Sequence, residues 1–583
     1  MTVLQYLQTH KDNHIDAPCA GNGTCGKCLI QIHSNCPPPT ETEKSRLSLQ
    51  QLEDGYRLAC CVAFLPDMDF VLRGTNDKKG KNVKSAEFSI LTDYQDTEDV
   101  SFSPKTIADV GELGLAIDIG TTTIVFSLVE TRGAICSHAV INSQRALGSD
   151  VISRIQQANE GHLEQLHQYV VEDIRQGIAY ICGKLSQKLS ENISEECSFE
   201  YSLEILEKIR SVVIAGNTTM LHILLNTPCN SLGVYPFTPV FLDKQNHKFS
   251  DIFGDYSDFE NFGIFSIPND FGAFSKKVCG IEVLILPGIS TFVGADISAG
   301  IFFCQLKSKK PWLLIDLGTN GEMALFSAND IVATSTAAGP AFEGGNISCG
   351  TGSISGAISK AVYQPEKKAF AIETIDNQPP VGICGSGVLD IVAQLVKHGL
   401  IDESGLLDED EFEDGFVTIA PEIQFTQRDI REFQLAKSAI RAGLEVLLAE
   451  TSNTYDSIEH VFVAGGFGHK MSLESAILIG MLPSEWKQKI TAVGNTALGG
   501  CVKVLTINAD IDKITASGKE YTEETSVEQK ELFADLAKTV PMILDDFERN
   551  IKNAQEINLS THPLFNDGFM EYMMFENASD RKV

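Results

Sequence analysis

Twice in this chain an apolar strand runs into Asp-x-Gly-Thr. GLAIDIGTTT turns at Asp118, and WLLIDLGTNGE turns at Asp316. Each is followed by a later apolar run that breaks at an Ala-Gly turn, SVVIAGNTT at Gly216 and HVFVAGGFG at Gly465. One strand ending in a glycine turn is ordinary. The same order of strand, Asp turn, strand and Ala-Gly turn in two halves predicts two similar lobes, with all four turns around one cleft. The break between the lobes is expected near Lys307 to Lys310. From Gly114 onward apolar strands alternate with helices, which predicts α/β architecture with mostly parallel sheets. A helix is expected over 426–450, where Ile430, Phe433, Ala436, Ile440, Leu444 and Leu447 recur every three or four residues and Thr426 can cap the start.

The residues in these turns suit phosphate chemistry. Gly120 and Gly318 permit the tight reversal, while Thr121, Thr122 and Thr319 offer hydroxyl and N–H donors to phosphate oxygens. Asn320 and Gly321 complete the second turn. Asp118 and Asp316 would face a cation, and magnesium keeps several waters in such a place. Gly465 and Gly466 lack side chains and allow an adenine ring and ribose to come close. Glu343 in PAFEGG contacts magnesium, orients the attacking water or is a structural carboxylate, and Glu322 has a similar status. Asp296 in VGADISAG is a helix N-cap or, in a kinase, the base. Asn217 and Thr218 hold phosphate or shape their turn. Lys437 reaches the nucleotide or is solvated, and His222 and His469 are structural. There is no G-x-x-x-x-G-K-[ST], so this is not a P-loop protein. GTGSISG at Gly350 has the wrong spacing for a dinucleotide loop.

The N-terminal cysteines point to a second chemistry. Of 15 cysteines, Cys19, Cys25 and Cys28 lie in CAGNGTCGKC, and Cys60 and Cys61 in RLACC. A 2Fe-2S cluster needs four thiolates and a loop that wraps the irons. Gly21, Gly23 and Gly26 give that loop its backbone freedom. Zinc with four cysteines prefers two C-x-x-C knuckles, and only one is present. The remaining alternative is free thiols. The first gap of five residues departs from plant-type ferredoxins and resembles the adrenodoxin-like and activator-linked ferredoxins. That resemblance implies Cys60, rather than Cys61, as the fourth ligand, and the Pro-rich run after Cys36 in SNCPPPT makes that cysteine a bystander. Most of the other cysteines sit singly in apolar stretches, as reduced core residues do.

The 583 residues carry 46 basic and 78 acidic side chains, a formal net charge of −32. Nucleic-acid or anionic-membrane partners, which need clustered Lys and Arg, are not expected. The acidic run Asp408 to Asp414 reads as a solvated loop. No apolar run is long enough for a membrane span, and MTVLQYLQTHKDNH lacks a signal-peptide pattern, so a cytoplasmic location is expected.

The paired turns and AGGFG resemble the superfamily of acetate and sugar kinases, heat-shock ATPases and actin. Within it, LGSDVISRI, VVIAGNTTMLHILL, LPGISTFVGADISAGI, STAAGPAFEGGNISCGTGS, ICGSGVLDIVAQL and AVGNTALGG resemble the ATP-dependent reductive activators of corrinoid proteins. With the ferredoxin, the resemblance covers nearly the whole chain. It implies a β-grasp 2Fe-2S ferredoxin over 1–74, lacking its usual opening hairpin. A linker over 75–112, a middle domain over 113–205 and an actin-like ATP-binding domain over 206–583 would follow. It implies that ATP drives one electron through the cluster, returning a Co(II) corrinoid of a methyltransferase system to Co(I). Cys19, Cys25, Cys28 and Cys60 would bind the cluster. Asp118, Asp316 and Glu343 would be catalytic. Gly120, Thr121, Thr122, Gly318, Thr319, Asn320, Gly321, Gly465 and Gly466 would hold Mg-ATP. The partners implied are a corrinoid protein and an upstream low-potential donor, with the oligomeric state open and a homodimer one option. Two other functions fit the same motifs: a small-molecule kinase, and an ATP-binding redox sensor with an appended ferredoxin.

Overall fold

The computed structural model describes residues 2–4, 28–34, 36–47, 49–64, 68–72, 110–130, 133–189, 195–254, 278–305, 310–327, 330–408, 414–517 and 544–575. Cys19, Cys25, the expected linker up to residue 109 and the acidic run over 409–413 lie outside them. Among the described residues no helix is long and apolar enough to cross a membrane.

The N-terminal unit is a small antiparallel sheet in which β1 (Leu29–Ser34) lies between β2 (Tyr56–Leu58) and β3 (Asp69–Leu72). Ile30 and Ile32 alternate onto one face of β1, where they meet Leu58, Ala59, Val62, Val3 and Leu4. The N–H groups of Val3 and Leu4 donate to the carbonyls of Val62 and Ala59 at 2.8 and 2.9 Å. Glu43 closes a capping box with Thr40, and its other oxygen accepts from the N–H of Leu58 at 2.9 Å. A buried carboxylate needs such partners. Here it ties the Glu41–Arg46 helix to the strand that leads into Cys60.

The first lobe is one sheet of order β6-β5-β4-β7-β9-β8. Its strands are β4 (Leu113–Ile119), β5 (Thr123–Glu130), β6 (Gly133–Ile141), β7 (Ile209–Gly216), β8 (Gln245–Lys248) and β9 (Glu282–Ile285). The second lobe has order β19-β18-β10-β11-β12-β20. It is built from β10 (Trp312–Leu317), β11 (Gly321–Ser327), β12 (Asp330–Thr336), β18 (His460–Ala464), β19 (Ile490–Gly494) and β20 (Gln555–Ile557). Two small sheets, β13 (Ala357–Gln364) with β14 (Ala369–Thr374) and β15 (Gly382–Ile383), and β16 (Phe416–Ala420) with β17 (Ile423–Thr426), are inserted between β12 and β18.

The sheets are mixed rather than mostly parallel. Each Asp-x-Gly-Thr segment is itself a hairpin turn, so the strand after it must run antiparallel: β4 to β5, and β10 to β11. The parallel pairs are β4–β7, β7–β9, β10–β18, β18–β19 and β12–β20. The repeat read from the sequence is visible in the register. Asp118 lies opposite Ala215, and Asp316 opposite Ala464. The boundary expected at 205/206 falls inside the helix Glu195–Lys208 and between paired strands β4 and β7, so it does not separate structural units. The sheets change over between β9 and β10 instead.

Leu314 faces the first-lobe side and Leu313 and Ile315 the opposite core, so the WLLI run is apolar throughout. The helix Gln427–Glu450 packs in that second core, and Thr426 caps it in a box with Asp429. Two helices lie between the lobes, Ala295–Cys304 after β9 and Thr496–Ser517 after β19. They cross closely: a Cβ on Gly500 would sit 2.3 Å from the Ala299 carbonyl oxygen, and one on Gly300 2.7 Å from Thr496 Oγ1. A C-terminal segment then straddles both lobes. Residues 544–552 are helical, bury Phe547 and Ile551, and pair Glu548 with Lys244 at 2.6 Å. β20 extends the second-lobe sheet beside β12. The helix Pro563–Tyr572 packs on Gln427–Glu450, where Ser438 donates to the Phe569 carbonyl.

Candidate nucleotide cleft and cluster site

The two turns face each other across Glu343. Its Oε2 accepts from Thr319 Oγ1 at 3.0 Å and from Thr122 Oγ1 at 3.4 Å, one hydroxyl from each lobe. Glu343 ends a short turn flanked by Gly339 and Gly344, both at φ +76. The first turn closes through Gly120 N–H to the Thr123 carbonyl at 3.0 Å, and the second through Gly318 N–H to the Asn320 carbonyl at 3.1 Å. A Cβ on Gly321 would lie 2.1 Å from Ile440 Cδ1, so any side chain there would have to displace the end of Ile440. Gly465 has φ +89, and a Cβ there would meet Asp316 Oδ1 at 2.8 Å, whereas a Cβ on Gly466 would meet nothing within 4 Å. Gly465 is therefore required by backbone and by packing, and Gly466 borders open space.

Five carboxylates gather here. Burial pushes Asp118 and Asp316 up to about 7, and Asp296 up to about 6. Asp316 is raised further by Asp296, Asp118 and Glu343, in that order. Burial also raises Glu322 and Glu343. Desolvated acids facing one another call for a cation. Among the described residues no three His, Cys, Asp or Glu stand close enough to enclose a metal unaided. Carboxylate oxygens are hard donors, the kind that suits a magnesium ion keeping several of its waters.

Several expected residues take different parts. Asp296 is not the N-cap: Gly294 holds that position, and Asp296 lies in the first turn of Ala295–Cys304 with Oδ1 accepting from the Ile297 N–H at 2.8 Å. Asn217 caps Thr218–Leu224 and also reaches Thr121 Oγ1 at 3.3 Å, while Thr218 donates to the Ser290 carbonyl instead. Lys437 is buried, donates to the carbonyls of Ile479 and Met574 and lies over the Phe575 ring, which makes it a clasp for the C-terminal segment. His222 bridges the Thr218 carbonyl and the Val240 N–H, a structural role. The His469 side chain lies outside the described residues.

Two residues were missed. Asn495 donates to Asp118 Oδ2 at 2.7 Å across the lobes. Arg154, fully buried, donates to the carbonyls of Thr121 and Gly148 and to Gln144, bracing the first turn from behind. Both stand in runs quoted above, LGSDVISRI and AVGNTALGG, yet nothing local in those runs tells a buried brace from a surface residue.

In the N-terminal unit, the β1–β2 register pairs Leu29 with Leu58, and the Ala59 N–H donates to the Cys28 carbonyl. This brings Cys28 Sγ within 3.3 Å of Cys60 Sγ. A tetrahedral metal with metal–sulfur bonds of about 2.3 Å holds two sulfurs about 3.8 Å apart, so the pair is close to ligating distance. The neighbouring Cys28 sulfur, with burial behind it, pushes the Cys60 thiol up. Cys61 Sγ lies 3.7 Å from Cys60 Sγ, and Cys36 is exposed beside Pro37.

A two-lobed nucleotide cleft of the actin type behind an iron-sulfur domain is the class these elements define. Three family models cover the chain in turn. They are a 2Fe-2S iron-sulfur cluster binding domain over 1–64, the RACo middle region over 113–272, and the C-terminal domain of RACo, the ASKHA domain, over 310–536. By these three domains the chain belongs to the RACo family. It is 31% identical over 426 residues to the corrinoid activation enzyme RamQ of Eubacterium limosum, a match spanning 68% of this chain and 65% of that one. It is 25% identical over 433 residues to the [Co(II) methylated amine-specific corrinoid protein] reductase of Methanosarcina barkeri, covering 70% and 73%. Its fold matches a solved reductive activator for corrinoid, iron-sulfur protein with a TM-score of 0.60 at 24% identity, covering 99% of this chain and 95% of that one.

Proposed function

We propose that this chain uses ATP to return a corrinoid protein from Co(II) to Co(I), passing one electron through a 2Fe-2S cluster held by Cys19, Cys25, Cys28 and Cys60. One observation carries the reading. A close cysteine pair in an iron-sulfur domain shares a chain with a cleft of two phosphate turns and buried acids. The cluster, when bound, supplies the one-electron carrier. Asp118 and Asp316 would hold magnesium, whose charge would offset that of the phosphates. Thr121, Thr122, Thr319 and Asn320 receive phosphate at turns that Gly120, Gly318 and Gly321 shape, and Gly465 and Gly466 leave room for adenosine. Phosphate oxygens compete with Glu343 for the Thr122 and Thr319 hydroxyls, which frees that carboxylate to orient water.

Energy coupling follows from state-selective binding. An ATP-bound state that favours the Co(I) partner by about 4 kcal/mol offsets roughly 170 mV of unfavourable potential for one electron. By linkage, ATP must then change affinity for the partner, and the partner must change affinity for ATP. The test mixes anaerobically purified protein, Mg-ATP, a low-potential reductant and Co(II) corrinoid proteins. The expected result is Co(I) absorbance that requires ATP, with hydrolysis stimulated by the Co(II) partner. No response to any corrinoid protein, together with a phosphorylated small-molecule product, overturns it in favour of a kinase.

A further inference from the structure

The sequence Gly-Asn-Thr occurs at 216–218 and again at 494–496, each time at the end of a parallel strand and the start of a helix. In both, the Asn side-chain oxygen accepts from a backbone N–H of that helix. Asn217 Oδ1 accepts from Met220 N at 3.0 Å, and Asn495 Oδ1 from Leu498 N at 2.8 Å. A backbone N–H can only donate, so each amide is fixed in orientation, with its NH2 directed outward. Both NH2 groups reach the same turn, Asn217 Nδ2 to Thr121 Oγ1 at 3.3 Å and Asn495 Nδ2 to Asp118 Oδ2 at 2.7 Å. Asn495 does so from the other lobe, on a helix whose Leu498, Cys501 and Leu505 pack in the first-lobe core.

We infer that Asn495 is a positioning residue for magnesium binding: by occupying Oδ2 of Asp118 it fixes that carboxylate, leaving Oδ1 as the oxygen presented to the hydrated cation. The inference rests on the proposed Mg-ATP cleft. It makes the first turn's cation contact depend on the Thr496–Ser517 helix, which follows the second-lobe strand β19 and packs on the first lobe.

Capping and positioning can be separated in one residue. Ser caps helices about as well as Asn, but its shorter side chain, once turned to the Leu498 N–H, cannot also donate to Asp118. Asn495→Ser should therefore keep the helix cap, lower the melting temperature of the nucleotide-free protein only by the loss of the Asp118 bond, and keep nucleotide binding measured in EDTA. A hydrogen bond to a charged group is worth a factor of about ten to a hundred. The magnesium concentration that half-saturates ATP binding, followed by calorimetry, should rise by that factor, and kcat at saturating magnesium should change far less. Asn495→Ala, which loses the cap as well, should add a drop in melting temperature to the same magnesium defect. An unchanged magnesium dependence in Asn495→Ser overturns the assignment. So does a defect that tracks melting temperature across both variants. A magnesium defect in a protein inert toward every corrinoid partner would uphold Asn495 while sinking the corrinoid reading. A wild-type protein that binds no Mg-ATP would overturn both.

Discussion

The two phosphate turns share a backbone and differ in what surrounds them. Register sets Asp118 opposite Ala215 and Asp316 opposite Ala464, so in sequence Gly216 corresponds to Gly465 and Asn217 to Gly466. The helix that begins at the third parallel strand brings Asn495 to the first turn, whereas its counterpart brings Asp296 towards the second. The first turn is thus held by two amide donors and braced by Arg154. The second faces carboxylates and an open glycine. Repetition preserved the hairpin and changed the charge. Asp118 has an amide donor on one oxygen, whereas Asp316 is raised by burial and then by three other carboxylates, Asp296, Asp118 and Glu343. The second turn is accordingly where ligand binding relieves the most repulsion.

The sharpest way to break this comparison is Asp316→Ala. Magnesium-dependent ATP hydrolysis should fall by about a hundredfold or more, as losses around a metal shell do. The visible spectrum of the cluster should not change, because the N-terminal unit has its own core. Loss of the cluster spectrum would contradict that independence.

Next come the adjacent glycines. Gly465→Ala combines φ +89 with a Cβ 2.8 Å from Asp316 Oδ1. It should destabilise the protein by about 1–3 kcal/mol in urea titrations. Gly466→Ala, with open space around its Cβ, should leave stability within about 0.5 kcal/mol and weaken nucleotide binding. Equal unfolding effects would mean the two positions are not distinguished as described.

The smallest expected effect is electrostatic. Asp296, Asp118 and Asp316 lie at about 6, 7 and 7 against an ordinary 3.8. Raised acids bind protons in the folded state that the unfolded chain has released. This part of the stability is therefore full below about pH 4 and is lost as pH rises through about 6 to 7. Asp296→Asn should raise the melting temperature of the nucleotide-free protein at pH 8 by about 2–4 °C and do little at pH 4.5. A drop at pH 8 would show that the carboxylate already has a stabilising partner.

Much of this cleft was legible in the chain. The paired turns, the lobe duplication and the helix Gln427–Glu450 with its Thr426 cap all follow from local pattern, and local pattern survives folding. What escaped depends on residues far apart in sequence. β20 is three residues long and β8 reads QNHK, so neither edge strand carries an apolar signature. The boundary placed at 205/206 failed to anticipate that β4 pairs with β7 and β7 with β9. Asp296 lies two residues beyond the cap because Gly294, with no side chain to offer, takes that place. Lys437 looked like an exposed helix lysine until the returning C-terminal segment covered it.

That returning segment limits how the molecule can move. Its helix at 544–552 is seated in the core shared with the first lobe and paired with Lys244, and β20 begins at Gln555 in the second-lobe sheet. Only residues 553 and 554 lie between them, and extended chain covers no more than about 3.6 Å per residue. The two lobes are consequently tethered at this edge like covers on a spine. Widening of the cleft becomes a rotation about that edge, with the largest displacement on the side farthest from it, and amide exchange along β12 and β20 should stay slow in every nucleotide state.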